Sequence, residues 1–230
     1  MGRPVRPPGV RPPLARPPIA RPPGWRPNRP WHPGYPGYGR YRPGYWWRGA
    51  TVAGVAGWTL GRWSNPVYYS YGTGGSVYYE GDTVYVEGEA YASADEYYDQ
   101  ATTIAEAAPE YTEEEAAEVE WLPLGVFALT QEGVSASNMY LQLAISKDGI
   151  LSGTFYNETT GATHPVEGSV DNETQRAAWR MADGENADVV METGVYNLTE
   201  EQTDVLVHFG PDTTQTWQMV RLDEGERPEE

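Results

Sequence analysis

Arg6, Arg11, Arg16, Arg21 and Arg26 recur every fifth residue, and the first four are each followed by a Pro-Pro pair. Proline fixes φ and removes the amide donor, which leaves polyproline II as the favoured local state. At a rise of ~3.1 Å and three residues per turn, that period spaces the guanidinium groups about 15 Å apart and on different faces. The predicted chemistry is that of a stiff cationic rod, charged all round, meeting a polyanion. Arg40 and Arg42 lie in a following tract, residues 24–47, rich in Gly, Tyr, Trp and Arg. Interleaved rings and guanidinium groups there permit cation–π contacts and stacking on bases or sugars.

Elsewhere the residue types that perform catalysis are sparse. The chain has no cysteine, which removes disulfides, thiolate nucleophiles and Cys-type zinc sites together. Of the three histidines, His164 precedes Pro165 and reads as the start of a strand. His208 is out of phase with Val205, Val207 and Phe209, so it should point away from their face, as a structural or surface histidine. Arg176 and Arg180 share one strand face, where pairing with the surplus carboxylates is favoured over anion binding. Residues 183–188 form an acidic turn, read as a hairpin loop rather than a calcium site. Serine, histidine and aspartate are present but not in a nucleophile elbow. No enzyme activity, metal or cofactor is expected.

The charge distribution divides the 230-residue chain. All 11 basic residues before position 80 are arginines and no acid occurs there, whereas the 33 acids and the other 5 bases lie from residue 80 onward. The formal charges are thus +11 and −28, a basic arm on an acidic body. Fifteen of the 20 prolines fall in residues 1–66, where a compact core is implausible. The expected organisation is a disordered Arg/Pro then Gly/Tyr/Arg-rich arm at 1–48, a small-residue apolar stretch at 49–63, a tyrosine-rich hairpin with an acidic helical linker at 64–120, a β-barrel-like domain at 121–222 and an acidic tail at 223–230. The first residues do not resemble a secretory signal, because prolines replace the apolar stretch; either export is absent or the chain start is incomplete.

Within the apolar stretch, Gly49, Ala53, Gly57 and Gly61 are four apart, and on a helix they would line one face. Thirteen uncharged residues at 1.5 Å each give about 20 Å, short of a ~30 Å hydrocarbon core. Trp46, Trp47, Trp58 and Trp63 flank or lie near the ends of the stretch as interfacial anchors do, which leaves two readings: a shallow membrane contact by these four rings, or a Gly-rich flexible or packed linker. Residues 77–86 read as a hairpin around Glu80-Gly81-Asp82. Ser93 with Glu96 forms a capping box, after which Tyr97, Ala101, Ile104, Ala105 and Ala108 follow helical spacing up to Pro109. Thr112 with Glu115 repeats the device. Residues 80–120 carry 14 acids and no base, too many for a nucleic-acid contact and suited to a solvated helix face.

From residue 121 the pattern changes to period two. Segments at 126–130, 139–145, 151–156, 163–170, 175–181, 189–195, 204–209 and 215–222 predict eight strands joined by short sequential turns. Such a meander removes its edges by closing, so the fold class is mainly β with a C-terminal antiparallel eight-stranded barrel of calycin type, preceded by short helices. Asp148-Gly149-Ile150-Leu151-Ser152-Gly153-Thr154-Phe155 resembles a turn common in the avidin and lipocalin group. The likeness covers one hairpin and carries no biotin site, because the spaced ligand-contacting tryptophans have no match. An eight-stranded barrel can be filled by side chains or hold one small ligand.

Several blocks together resemble a family of uncharacterised planctomycete bacterial proteins labelled mu-protocadherin-like or cell-surface proteins. They are Val77-Tyr-Tyr with Gly81-Asp82 and Val84-Tyr, Trp121-Leu-Pro-Leu-Gly-Val-Phe-Ala-Leu, Gln175-Arg-Ala-Ala-Trp, Glu192-Thr-Gly-Val-Tyr-Asn-Leu-Thr199, Leu206-Val-His-Phe-Gly and Val220-Arg-Leu. The resemblance implies an envelope or surface setting and no known enzyme activity. The expected function is a non-catalytic envelope-associated protein whose arm engages an acidic envelope polymer or lipid surface. The alternatives are a small-ligand-binding barrel and an arm that binds nucleic acid.

Overall fold

A computed structural model describes residues 49–63, 65–109, 119–131, 134, 137–183 and 186–222. The arm, including Arg6, Arg11, Arg16, Arg21, Arg26, Arg40, Arg42, Trp46 and Trp47, lies outside the described residues, as do the expected helix start at Thr112 and the acidic tail.

The period-two segments do form eight strands: β4 (Trp121–Gln131), β5 (Met139–Ser146), β6 (Ile150–Asn157), β7 (Ala162–Val170), β8 (Arg176–Met181), β9 (Val189–Gly194), β10 (Gln202–Phe209) and β11 (Thr214–Arg221). Each pairs antiparallel with the next, and β11 pairs back onto β4, so the meander closes into a barrel with no open edge. Alternation sends Phe127, Leu129, Leu141, Leu143, Leu151, Phe155, Val166, Ala177, Trp179, Met191, Val205, Val207, Trp217 and Met219 into one core. Two inward positions hold glycine. A Cβ on Gly168 would lie 2.1 Å from the Ala178 carbonyl oxygen and 2.8 Å from the Trp179 Cβ, and one on Gly153 would lie 2.2 Å from the Gln142 oxygen. Those missing side chains are the space in which the core packs.

Residues 49–63, expected as a separate stretch, instead close one end of the barrel. Thr51 caps α1 (Val52–Trp58), its hydroxyl accepting from the Gly54 amide, and left-handed conformations at Leu60 and Gly61 end the turn. The helix lays Val55 on the core while Ala53, Gly57 and Gly61 stay exposed. Arg221 completes the closure: Nη1 donates to the Leu124 carbonyl (2.6 Å), Nη2 to Leu198 (2.5 Å) and Nε to Glu200 (3.3 Å). Its guanidinium also lies 4.8 Å from the Phe127 ring centre. One cation thus joins the first and last barrel strands to the short 3-10 turn Asn197–Thr199.

The expected hairpin is present as β1 (Val77–Glu80) and β2 (Thr83–Val86), and a third strand, β3 (Glu89–Ser93), extends it. The β2–β3 loop is Glu87-Gly88 with φ of 54° and 85°, the double positive φ that a two-residue hairpin turn demands. Ser93 and Glu96 form the predicted capping box of α2 (Ala94–Glu106). Rather than serving as a solvated connector, α2 packs on the outside of the barrel: Ala101 and Ala105 meet Ala178 and Val190, small residues that let helix and strands approach closely. Val77, Val84, Tyr71 and Tyr97 form a second cluster with Leu206 of β10. Strands β8 to β10 are therefore buried on both faces.

Candidate functional site

Between the barrel wall and this outer layer lies the most densely charged buried spot among the described residues. Arg176 on β8, Glu192 on β9 and His208 on β10 all take the outward phase of their strands, opposite the barrel core. On an uncovered barrel they would meet water. Beneath α2 and the small sheet they do not: Glu192 and His208 are 0% exposed and Arg176 3%.

Burying a carboxylate costs several kcal/mol unless it is paired and hydrogen-bonded. Arg176 meets that need by donating from Nε (3.0 Å) and Nη2 (2.5 Å) to Glu192 Oε2. Its Nη1 donates to Gln100 Oε1 of α2 at 2.9 Å, and its guanidinium stacks 4.0 Å from the Tyr97 ring centre. Burial alone would push the Glu192 carboxyl up, but the charge of Arg176 and the neighbouring His208 outweigh it and hold the group down to about 2. Arg176 is pushed above its ordinary value, against burial, chiefly by Glu192. The couple is ionised across the range in which proteins fold.

His208 points Nδ1 at Thr214 Oγ1 (2.9 Å), while Nε2 stays 3.9 Å from Glu192 Oε1, beyond hydrogen-bond reach. Tyr97 and Tyr98 of α2 lie against the imidazole, with ring centres 6.3 and 5.8 Å away. Burial raises the Tyr71 and Tyr97 hydroxyls well above 10, and raises Tyr79 to about 12. The arrangement contains the groups of acid–base chemistry, yet their seclusion and fixed pairing make it a buried clamp that fastens α2 to three successive strands.

The second candidate is a recess at the barrel end opposite α1. It is lined by Leu141, Phe155, Val166, Trp179, Met181 and Met191 among others, and has no interior space wide enough to admit a water molecule. Its lining is apolar apart from Arg180, which is held by Glu106 (2.6 Å) and Glu167 (3.2 Å). His164 at the same end pairs Nδ1 with Asp183 Oδ2 at 2.7 Å.

The structure therefore separates the candidates that sequence raised. Arg176 and Arg180 share a face and pair with carboxylates as expected, and His208 takes the expected phase but is buried under α2. The two histidines do not meet, since each has its own partner. Of the two readings of residues 49–63, the described part fits the packed one: Trp58 and Trp63 serve the barrel end. Trp63 is 1% exposed, its ring set over Gly149 and its carbonyl accepting from the Tyr196 hydroxyl. Trp58 donates from Nε1 to the Ile145 carbonyl at 3.1 Å. The Trp63 indole is sealed in the core, while half-buried Trp58 carries Lys147 over its ring at 5.2 Å; the apolar side of residues 49–63 covers the barrel's own open end. No helix among the described residues is long and apolar enough to cross a membrane. Among them, no group of three or more His, Asp or Glu is placed to hold a metal ion.

What sequence reasoning missed is the grouping of Arg176, Glu192 and His208. The available signal was their spacing, sixteen residues apart in succession, each in the outward phase of its strand. The chain matches no family model, no curated protein and no solved structure.

Proposed function

We propose that the protein is a non-catalytic, envelope-associated protein in which the cationic arm engages an acidic polymer or lipid surface and the barrel is the acidic body it carries. The observation that carries this reading is the separation of charge, +11 before residue 80 against −28 beyond it, together with the resemblance to planctomycete cell-surface proteins. The barrel supports it as a carrier, because its interior is filled with Trp179, Trp217, Phe127 and aliphatic side chains. A ligand inside the barrel is the weaker reading: the recess has no interior space wide enough even for a water molecule, whereas small-molecule pockets hold roughly 300 Å³ or more. Nucleic acid is weaker again, since the acidic body repels the phosphates that the arm would attract.

The test is fractionation of the source cell at low ionic strength, comparing the native chain with a variant carrying Gln at positions 6, 11, 16, 21 and 26. Envelope recovery that falls in the variant, and in the native chain at high salt, supports the reading. Equal recovery of both in the cytosol rejects it.

A further inference from the structure

The outer face of the small sheet has no partner among the described residues, and it combines two chemistries. Tyr78 of β1 and Tyr85 of β2 are directly paired across the ladder. Their rings stack at 5.0 Å between centres with planes 3° apart. They face away from the Val77, Tyr79, Val84 and Val86 side that packs toward the barrel. Glu80, two residues on from Tyr78, shares their face. Exposed Asp82, Glu87 and Glu89 occupy the ends and loops of the same three strands, and exposed Asp95, Glu96, Asp99 and Glu106 line the adjoining α2. No lysine or arginine lies between residues 63 and 146, and of these acids only Glu106 pairs with a cation among the described residues, Arg180 of the barrel.

A tyrosine stack rimmed by carboxylates is complementary to a segment in which arginines and proline pairs recur together. Proline rings dock on aromatic faces in the preformed polyproline II state, guanidinium groups lie over tyrosine rings, and the carboxylates pair with the remaining charge. This chain carries such a segment. We propose that the arm, residues 3–29, docks in cis on the Tyr78–Tyr85 face of the small sheet, so that the body shields its own arm until an external polyanion competes for it. Reach is no obstacle. Forty-eight residues precede Gly49 and at a rise of ~3.1 Å each would reach about 150 Å, against a radius of gyration of roughly 16 Å for a body of this length. The arm's charge is +7 over residues 3–29 with no acid among them, so no repulsion opposes the approach. The docking does not depend on what the arm binds outside the molecule; its release by a competing polyanion rests on the function proposed above.

The chain has no cysteine, so a nitroxide attached through Ala20→Cys reports on one place. In the full-length protein at low salt, docking predicts paramagnetic broadening of amide resonances concentrated at Tyr78, Tyr85 and their strand neighbours. It should persist unchanged on tenfold dilution and vanish at 1 M salt, where the screening length falls to ~3 Å. It should also be lost in a variant with Gln at positions 6, 11, 16, 21 and 26, which leaves the body untouched. Because Tyr78→Ala with Tyr85→Ala could loosen the small sheet, Glu80→Gln with Glu87→Gln and Glu89→Gln is the second probe and should weaken the broadening without altering the barrel resonances. Broadening that is absent, spread evenly over the body, or lost on dilution overturns the proposal.

Discussion

Arg176 spends both of its inward donors on a single oxygen of Glu192, Oε2, and leaves Oε1 facing His208 Nε2 across 3.9 Å. The three side chains come from three consecutive strands, and α2 is fastened over them by Gln100 and Tyr97. Their energetics are those of a buried ion pair, in which removing one partner costs more than the pair itself contributes.

Glu192→Gln should accordingly destabilise the fold by about 3–5 kcal/mol near neutral pH, since the Arg176 charge remains buried without its counter-ion. The pH dependence has a definite sign. The folded carboxyl is held down to about 2 from 4.5, so its stabilisation is complete above the unfolded value and is lost as pH falls from there toward 2. Urea denaturation measured from pH 7 to pH 2 should show that acid limb in the parent and a flatter one in Glu192→Gln. Superimposable slopes would assign the acid sensitivity to other groups.

Gly168→Ala should be costly although it adds one methyl group. The new Cβ would meet a backbone oxygen at 2.1 Å, and backbone cannot rotate aside as a side chain can. A loss of about 3 kcal/mol or more is expected in denaturant unfolding. Gly57→Ala, at an exposed helical position with open space around it, should be neutral or stabilising by up to about 1 kcal/mol.

Replacing Arg221 by methionine keeps the apolar length of the side chain but removes donors to three backbone carbonyls. Hydrogen bonds from charged donors contribute about 1.5–3 kcal/mol each and are not additive. A loss of about 3–5 kcal/mol is expected, with hydrogen exchange accelerating first at the 3-10 turn and at the β4–β11 seam. Protection that falls uniformly over the whole barrel would show that Arg221 has no local role.

Ser93→Ala removes the hydroxyl that accepts from the Glu96 amide at 3.2 Å. The cap should be worth about 1 kcal/mol. Because α2 covers the Arg176–Glu192 pair, the change should also speed exchange of amides in β8 and β9, a remote effect that loss of a free-standing helix would not produce.

The strands were legible because alternation survives wherever one face is core and the other is not, as at Leu141-Gln142-Leu143 in β5. The capping box was legible because it is a local device with a fixed spacing. The placement of α2 was not, since its buried stripe of Tyr97, Ala101 and Ala105 is short and weakly apolar, and its acids read as a solvated face. The role of residues 49–63 was misleading for a related reason. Tryptophans bordering small residues look alike whether the apolar surface they cover is lipid or the mouth of a barrel. Arg221, one arginine near the end of the last strand, gave no hint of the three carbonyls it would reach, because they lie 97, 23 and 21 residues away, at Leu124, Leu198 and Glu200.

Gly49 lies so close to Arg221 that a Cβ on it would come within 2.6 Å of Nη1, so the first described residue and the end of the last strand share one pole of the barrel. Mechanical load applied between the arm and the segment after Leu222 would therefore travel a short path through the Arg221 knot and the β4–β11 seam, leaving the six other strands slack. Under tension applied at residues 49 and 222 the barrel should yield first by unzipping that seam.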